Sequence, residues 1–150
     1  MAGDAFDDAH LSLTARAPSG PPPPVALVNT LTELRGYISV INASLLFHIF
    51  TEEEQFELGR RLAALLDPRP GSIILGSHGG ALRKGQPSGS RDTQMFCHSP
   101  ESWVQMWEEE IFEKGQVRVN AVLEEAKSVE KGVAIEGAKF YWLVWSIERL

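Results

Sequence analysis

The side chains best suited to chemistry are three histidines, His48, His78 and His98, and the single cysteine, Cys97. Neutral imidazole is a common metal ligand, but no two of these histidines form an H-E-x-x-H or i, i+4 pair, so we predict no metal site. Cys97 lies between Phe96 and His98, and a lone cysteine in such surroundings is more often inert packing than a nucleophile. The residue types therefore leave the catalytic residues unassigned.

Charge and cysteine content exclude several classes of function. The formal charge of the 150 residues is −6, which opposes binding to phosphate backbones or anionic lipid, so we expect neither a nucleic-acid nor a membrane partner. One cysteine excludes an internal disulfide framework and suits a reducing compartment. The acidic start, MAGDAFDDAH, does not resemble a secretory signal. We predict a cytoplasmic protein.

A change of composition divides the chain in two. Residues 18–24 read PSGPPPP, which favours extended polyproline geometry and usually forms a semi-rigid spacer. From Val25 onward, apolar strands and amphipathic helices alternate. We therefore predict a flexible, disordered, Pro-rich segment over 1–24 and one domain over 25–150.

The first elements predict a strand–helix–strand unit. Residues 37–42 (YISVIN) are β-branched and aromatic, as is typical of a strand. Thr51 and Glu54 match a capping box, which predicts a helix that ends before Asp67-Pro68. Residues 71–76 (GSIILG) form a short apolar run, as expected of a parallel strand covered on both faces. This order indicates a right-handed crossover.

The second half predicts another helix and a terminal hairpin. The glycine-rich stretch 77–94 reads as a surface loop, and Ser99-Pro100 then caps a second helix. Residues 117–126 alternate between apolar and polar, which favours a half-exposed edge strand. Residues 140–147 (FYWLVWSI) are apolar on both faces, which favours a central strand. The last strand must therefore lie between its hairpin partner and an earlier strand.

That arrangement resembles the carboxyl half of class I S-adenosylmethionine-dependent methyltransferases. In this family strands four and five precede a reversed hairpin, and strand seven lies between strands five and six. More narrowly, four segments resemble the small-molecule methyltransferases of fungal secondary metabolism. They are ISVINASLLFHIFTEEEQ at 38–55, PGSIILGSHGG at 70–80, MFCHSPESWVQMW at 95–107 and FYWLVWSIERL at 140–150. The resemblance implies an α/β half of a Rossmann-like sheet in the order 4, 5, 7, 6, with helices on the faces.

The resemblance also implies a cofactor, S-adenosylmethionine, and residues near it. The family's glycine-rich turn and the acidic residue that holds the ribose hydroxyls are both absent from this chain. Two segments of this chain still resemble cofactor-binding parts of the family. Residues 4–6 resemble the end of the family's strand three, and the other segment is the turn after the first strand predicted for this chain. The implied cofactor-binding residues are Asp4, Ala5, Phe6, Asn42 and Ala43.

Aromatic and polar side chains near the same edge of the sheet could line an acceptor pocket. The candidates for substrate binding are Ser44, Phe47, His48, His78 and Trp103. Helical periodicity also explains Trp103 as a core residue, and His48 could instead cap the following helix.

These inferences predict a methyltransferase for a small-molecule acceptor that is a fragment or truncated form and inactive alone. A second hypothesis is a half-domain that associates with itself or with a partner chain through the exposed strand 37–42. A third is a cofactor-free small-molecule binding module.

Overall fold

The structure is a computed structural model that describes residues 2–14, 19–86, 95–126 and 139–150. The helices are α1 (Glu52–Leu65) and α2 (Pro100–Gln105), and the strands are β1 (Val40–Asn42), β2 (Ile73–Gly80), β3 (Val117–Glu125) and β4 (Tyr141–Arg149). Short 3-10 helices occupy Val25–Leu27, Leu31–Leu34 and Phe47–Ile49, and a π-helix follows α2 over Met106–Ile111.

The four strands form one mixed sheet in the order β1-β2-β4-β3. β1 and β2 are parallel, with Asn42 opposite Leu75, whereas β4 is antiparallel to both β2 and β3. Trp145 of β4 lies opposite Gly76 on one side and Ala121 on the other. The final strand therefore lies between its hairpin partner and β2, and the predicted α/β class and strand order are confirmed.

Helix α1 begins where the sequence indicated. The Thr51 hydroxyl accepts a hydrogen bond from the Glu54 amide at 3.3 Å, and the Glu54 carboxylate accepts one from the Thr51 amide at 2.9 Å. These reciprocal bonds satisfy amide groups that the first helical turn leaves without partners. Leu58, Leu62 and Leu65 form its buried face.

Helix α2 has the predicted start but an unexpected end. Ser99 accepts from the Ser102 amide, and Pro100 occupies the first turn. After one and a half turns the helix widens into the π-helix over Met106–Ile111. Trp103 and Trp107 nonetheless both face the core and are fully buried. The apolar spacing predicts the buried side of this segment but not its π-helical geometry.

The lengths of β1 and β2 differ from the prediction. β1 covers only the last three residues of 37–42, and Ile38 makes an isolated bridge to Leu66. β2 continues through Gly80, so residues 77–80 belong to a strand and not to the predicted loop. Glycine is needed there for packing: a Cβ on Gly80 would lie 2.8 Å from the Leu143 Cβ. Residues 87–94 of that loop lie outside the described residues.

The two faces of the sheet are covered unequally. Ile74, Leu143 and Ile147 are fully buried in the core. On the opposite face, Val122 is 55% exposed and Val144 36% exposed. The prediction that β4 is covered on both faces is therefore wrong at Val144 for the described part of the chain, whereas no residue of β2 is exposed. A continuous apolar run shows that both faces of a strand are hydrophobic. It does not show whether another element packs on the second face.

The start of the chain contacts the core. Leu11 is fully buried, and the guanidinium of Arg61 on α1 donates to the carbonyls of Ala5 and Leu11. These residues contact the domain, and the flexibility of 1–24 stays a prediction. The domain boundary at residue 24 stays a prediction. Among the described residues, no helix is long and apolar enough to cross a membrane.

Candidate functional site

The turn after β1 places polar side chains at the carboxyl edge of the sheet. Asn42 and Ser44 are exposed, and the Asn42 carboxamide oxygen accepts from the Ser44 amide at 3.0 Å. Between them Ala43 is buried, and its amide donates to the Leu75 carbonyl at 2.9 Å. Ligands of open α/β sheets bind at this edge. The turn thus has the position that the cofactor prediction requires, while the contact itself stays a prediction.

Two neighbouring residues, Leu45 and Gly76, fix this turn. Leu45 adopts a positive φ of 55°, and its amide donates to the Ser77 carbonyl at 2.7 Å. Gly76 of β2 lies against the turn, because a Cβ there would be 2.9 Å from the carbonyl carbon and oxygen of Ala43. A branched aliphatic residue in this region of φ is strained, and such strain concentrates at functional sites. The local sequence carries no sign of either contact.

The predicted cofactor-binding residues Asp4, Ala5 and Phe6 lie in the segment that Arg61 holds. Asp4 is exposed and its carboxylate accepts from the Phe6 amide at 2.9 Å, while the Ala5 carbonyl accepts from Arg61 at 3.1 Å. The Phe6 ring meets the Phe50 ring edge to face, with centroids 5.2 Å apart. Phe50 follows the 3-10 helix after the β1 turn. The structure therefore links residues 4–6 to the segment beyond that turn.

Arg61 is the positioning residue that sequence reasoning missed. Only 6% of it is exposed, although arginine is rarely buried without partners. Besides the two carbonyls, it donates to Glu57 at 2.8 Å and to Asp8 at 2.9 Å. The pairing with Glu57 at i, i+4 could have drawn attention to it. The partners near the chain start give no such signal in the sequence, because they are about 50 residues away from Arg61.

Three predicted acceptor-binding residues, Phe47, His78 and Trp103, come together inside the core. All are fully buried, and the Trp103 ring centroid lies 4.9 Å from those of both Phe47 and His78. His48 is half-buried and stacks on His78, with ring centroids 6.3 Å apart. Core placement of Trp103 agrees with the periodicity. Of the predicted set, Ser44 and His48 are the residues with exposed surface.

His78 is a buried neutral imidazole. The Trp145 indole N–H donates to His78 Nδ1 at 2.9 Å, and since indole nitrogen only donates, the proton of His78 is on Nε2. Burial is the main cause that lowers the pKa of His78 to about 3, and the neighbouring His48 and His98 contribute to the same shift. The ring is therefore uncharged at neutral pH and acts as a hydrogen-bond acceptor inside the core.

Cys97 and His98 do not form a nucleophilic pair. Burial raises the pKa of the Cys97 thiol to about 12, so the thiolate is scarce at neutral pH. Burial lowers the pKa of His98 to about 4. Within the described ranges, no group of three or more His, Cys, Asp and Glu side chains is placed to hold a metal ion.

A comparison with named proteins finds O-methyltransferase phiE of Fungal sp. (strain ATCC 74256), which is 36% identical over 90 residues. The match covers 57% of this chain and 29% of that protein, so the chain spans less than a third of the relative. No protein family model matches. The sequence similarity supports a relationship to methyltransferases, and the mixed sheet in the order β1-β2-β4-β3 is consistent with half of a Rossmann-like methyltransferase domain.

Proposed function

We propose that this chain is the carboxyl part of an S-adenosylmethionine-dependent methyltransferase that modifies an oxygen of a small molecule, and that it is inactive alone. The observation that carries the proposal is the 36% identity to an O-methyltransferase. The strand order adds support, because β4 lies between β2 and β3 as the family resemblance implies. Fungal secondary metabolism and a cytoplasmic location remain part of this proposal.

The residues at the carboxyl edge fit part of a cofactor site. Asn42 offers an exposed amide beside the turn that Gly76 allows to approach β2 closely. Asp4 offers an exposed carboxylate, and Phe6 a half-buried ring. The side chains of Asn42, Asp4 and Phe6 would hold and orient S-adenosylmethionine through hydrogen bonds and ring contact.

S-adenosylmethionine supplies, when bound, an electrophilic methyl group on a sulfonium whose sulfur leaves with the bonding electron pair. The acceptor oxygen forms the new bond to carbon and loses its proton to water or buffer. The chain's contribution is alignment and exclusion of water, which can supply much of a rate enhancement without a strong base. Ser44 and His48, the exposed members of the acceptor set, would orient that oxygen.

Inactivity of the isolated chain follows from what these 150 residues lack. The glycine-rich turn and the ribose-binding carboxylate that the resemblance implies for the amino half are absent. Those groups supply most of the binding energy for a cofactor of this type. The side chains that remain are too few for micromolar affinity.

Calorimetric titration of the chain with S-adenosylmethionine tests its inactivity, after light scattering has established its association state. We expect no binding at millimolar cofactor. A micromolar dissociation constant, worth about −8 kcal/mol, would overturn the claim of inactivity.

A chimera tests the methyltransferase assignment itself. The 29% of phiE that this chain matches is replaced by the corresponding part of this chain, and methyl transfer is measured with the substrate of phiE. We expect a folded chimera that transfers methyl groups and that loses activity on Asn42→Ala. The exchanged part of this chain is 25–150, which contains Asn42 and the site of the control, Glu124→Ala, an exposed change on β3. A folded chimera that neither binds the cofactor nor transfers methyl would contradict the assignment.

A second candidate is a half-domain completed by another chain or by a second copy. The observation that favours it is the exposed side of β1, where Val40 is 60% exposed and, among the described strands, β1 pairs with β2 only. Open strand edges template association. The edge is shorter than the predicted 37–42, since β1 begins at Val40.

Light scattering of the parent chain and of Val40→Lys tests this candidate. Association of the parent that the substitution abolishes would support it, because a charge on an edge strand disfavours pairing. Glu53→Lys on α1 is the control for the change of charge. A monomeric parent at high concentration would count against self-association.

A further inference from the structure

Leu45 is an exception to the way this chain uses positive φ angles. Among the described residues it is the one residue with a side chain in this region, at a φ of 55°. The other described positions with positive φ are all glycines, namely Gly20, Gly36, Gly71, Gly85 and Gly115. Glycine or asparagine would adopt the backbone of Leu45 at a lower steric cost. The backbone therefore does not account for a leucine at this position.

Packing in the core does not account for Leu45 either. It is 60% exposed and is not part of the buried core cluster, whereas Phe47, two residues later, is fully buried there. The Leu45 amide donates to the Ser77 carbonyl at 2.7 Å, a bond that any residue except proline could make. The chain thus keeps a strained and exposed leucine that contributes little to folding. Backbone outliers of this kind cluster at ligand and active sites.

The position of Leu45 connects it to the proposed acceptor site. It directly follows Ser44, which is exposed at the carboxyl edge of the sheet. Ile49, which is 64% exposed, directly follows His48. His48 also lies at the end of β2, because a Cβ on Gly79 would be 3.6 Å from the His48 Cβ. Each polar residue proposed to orient the acceptor oxygen is therefore followed by an exposed aliphatic residue.

We propose that Leu45 is a specificity-determining residue of the acceptor site, and that the acceptor carries an apolar body beside the oxygen that receives the methyl group. The apolar body packs on Leu45 and Ile49, while Ser44 and His48 interact with the oxygen. The inference rests on the proposed methyltransferase function and names the class of acceptor for it. A sugar or another fully polar acceptor would gain nothing from two exposed aliphatic side chains.

The experiment is a titration of the full, methyl-labelled chain with 2-naphthol, followed by nuclear magnetic resonance. Phenol, which has the same hydroxyl group and one ring fewer, is titrated in parallel. We expect the methyl resonances of Leu45 and Ile49 to shift, because an aromatic ring displaces the resonances of the methyl groups that it packs on. 2-Naphthol should bind about tenfold more tightly than phenol, since its second ring adds apolar area.

Matched variants separate the acceptor contact from folding. Leu45→Asn should weaken 2-naphthol about tenfold, the low end of what one lost methylene contact costs in a hydrophobic pocket. Its melting temperature should equal or exceed that of the parent, because asparagine tolerates a positive φ. Leu45→Met keeps the apolar surface and should keep most of the affinity. Leu27→Asn changes a 69% exposed leucine outside the site and should leave the affinity unchanged.

The chimera with phiE provides a second measurement. In it, Leu45→Asn should raise KM for the acceptor about tenfold and leave kcat nearly unchanged, because a contact made equally in the ground state and the transition state affects binding only. A parent chimera without methyl transfer would contradict the methyltransferase assignment. The titration of the isolated chain would still decide whether Leu45 contacts an apolar ligand.

Four results would overturn the proposal. One is the absence of shifts at Leu45 and Ile49 at millimolar 2-naphthol, and another is equal affinity of Leu45→Asn and the parent. A lower melting temperature of Leu45→Asn would assign the leucine to the stability of the fold. In the chimera, a lower melting temperature with an unchanged KM would assign it to packing against the rest of the protein.

Discussion

The two faces of the β-sheet differ, although the same strands build both. On one face Trp145 meets Trp103, with ring centroids 4.9 Å apart, and donates to His78. On the other face Val144, the adjacent residue of β4, is 36% exposed, and Val122 beside it is 55% exposed. Successive side chains of a strand point to opposite faces, so one step along the chain separates a packed interior from an open surface.

The difference shows where the stability of this chain comes from. The helix-covered face contains the aromatic core, the buried histidine and the contacts of the chain start. The open face contributes apolar area that remains partly in water. Substitutions on the first face should therefore change the free energy of unfolding, and those on the second should change association.

The largest expected effect is at Trp145. Trp145→Ala removes a buried ring and its hydrogen bond to His78, and should cost about 3–5 kcal/mol in the free energy of unfolding. Val144→Ala on the open face should cost less than about 1 kcal/mol. Urea denaturation measures both. Similar losses for the two variants would contradict the assigned difference between the faces.

The second-largest effect should come from acid, which should lower the free energy of unfolding through the histidines of the covered face. The folded-state pKa is about 3 for His78 and about 4 for His98, both below the ordinary histidine value of 6.5, so the unfolded chain binds more protons as pH falls below 6.5. Stability is therefore complete above pH 6.5 and is lost toward pH 4. At pH 5 the loss should be about 2 kcal/mol per histidine.

The control for this acid effect is His78→Gln, whose amide oxygen can still accept from Trp145. Urea denaturation at pH 7.5 and pH 5 should give a smaller loss for this variant than for the parent. An identical loss would mean that His78 does not carry the acid sensitivity.

The attachment of the chain start should give a smaller effect. Arg61→Ala removes the donor to Ala5, Asp8 and Leu11, and should cost about 1.5–3 kcal/mol. Hydrogen exchange should then become faster in residues 5–11. Arg60→Ala is the matched control, since Arg60 is exposed and pairs only with Glu57 among its described contacts. Unchanged exchange in Arg61→Ala would show that this segment does not depend on Arg61.

The smallest effect should arise where β2 contacts the β1 turn. Gly76→Ala places a methyl group 2.8 Å from the Trp145 ring and 2.9 Å from the Ala43 carbonyl, and should cost about 1–3 kcal/mol. Gly79→Ala meets atoms no closer than 3.4 Å and should cost less. Thermal unfolding compares the two variants. Equal melting temperatures would contradict the close approach at Gly76.

Local signals predicted the helices and the strand order well. The capping box at Thr51 and the Ser99-Pro100 start act over three or four residues, so their meaning does not depend on the rest of the fold. The long apolar run at 140–147 indicated a central strand, which β4 confirms. Gly79 and Gly80 were wrongly placed in a loop, because a glycine that permits close packing looks in sequence like a glycine that forms a loop.

The candidate site could be predicted in position but not in detail. The turn at Asn42 follows a strand, and the carboxyl edge is the place where ligands of such sheets bind. The interior position of His78 and the role of Arg61 depend on partners about 50 residues or more away in sequence. No local pattern contains that information.

The sequence by itself determined the class of fold, the start of each helix and the order of the strands, because capping and hydrophobic periodicity act within a few residues. The tertiary structure alone decided which face of the sheet is covered, which histidines are buried and neutral, and how the chain start attaches to α1. Those properties depend on contacts between distant segments, and burial is a property of the whole packed chain.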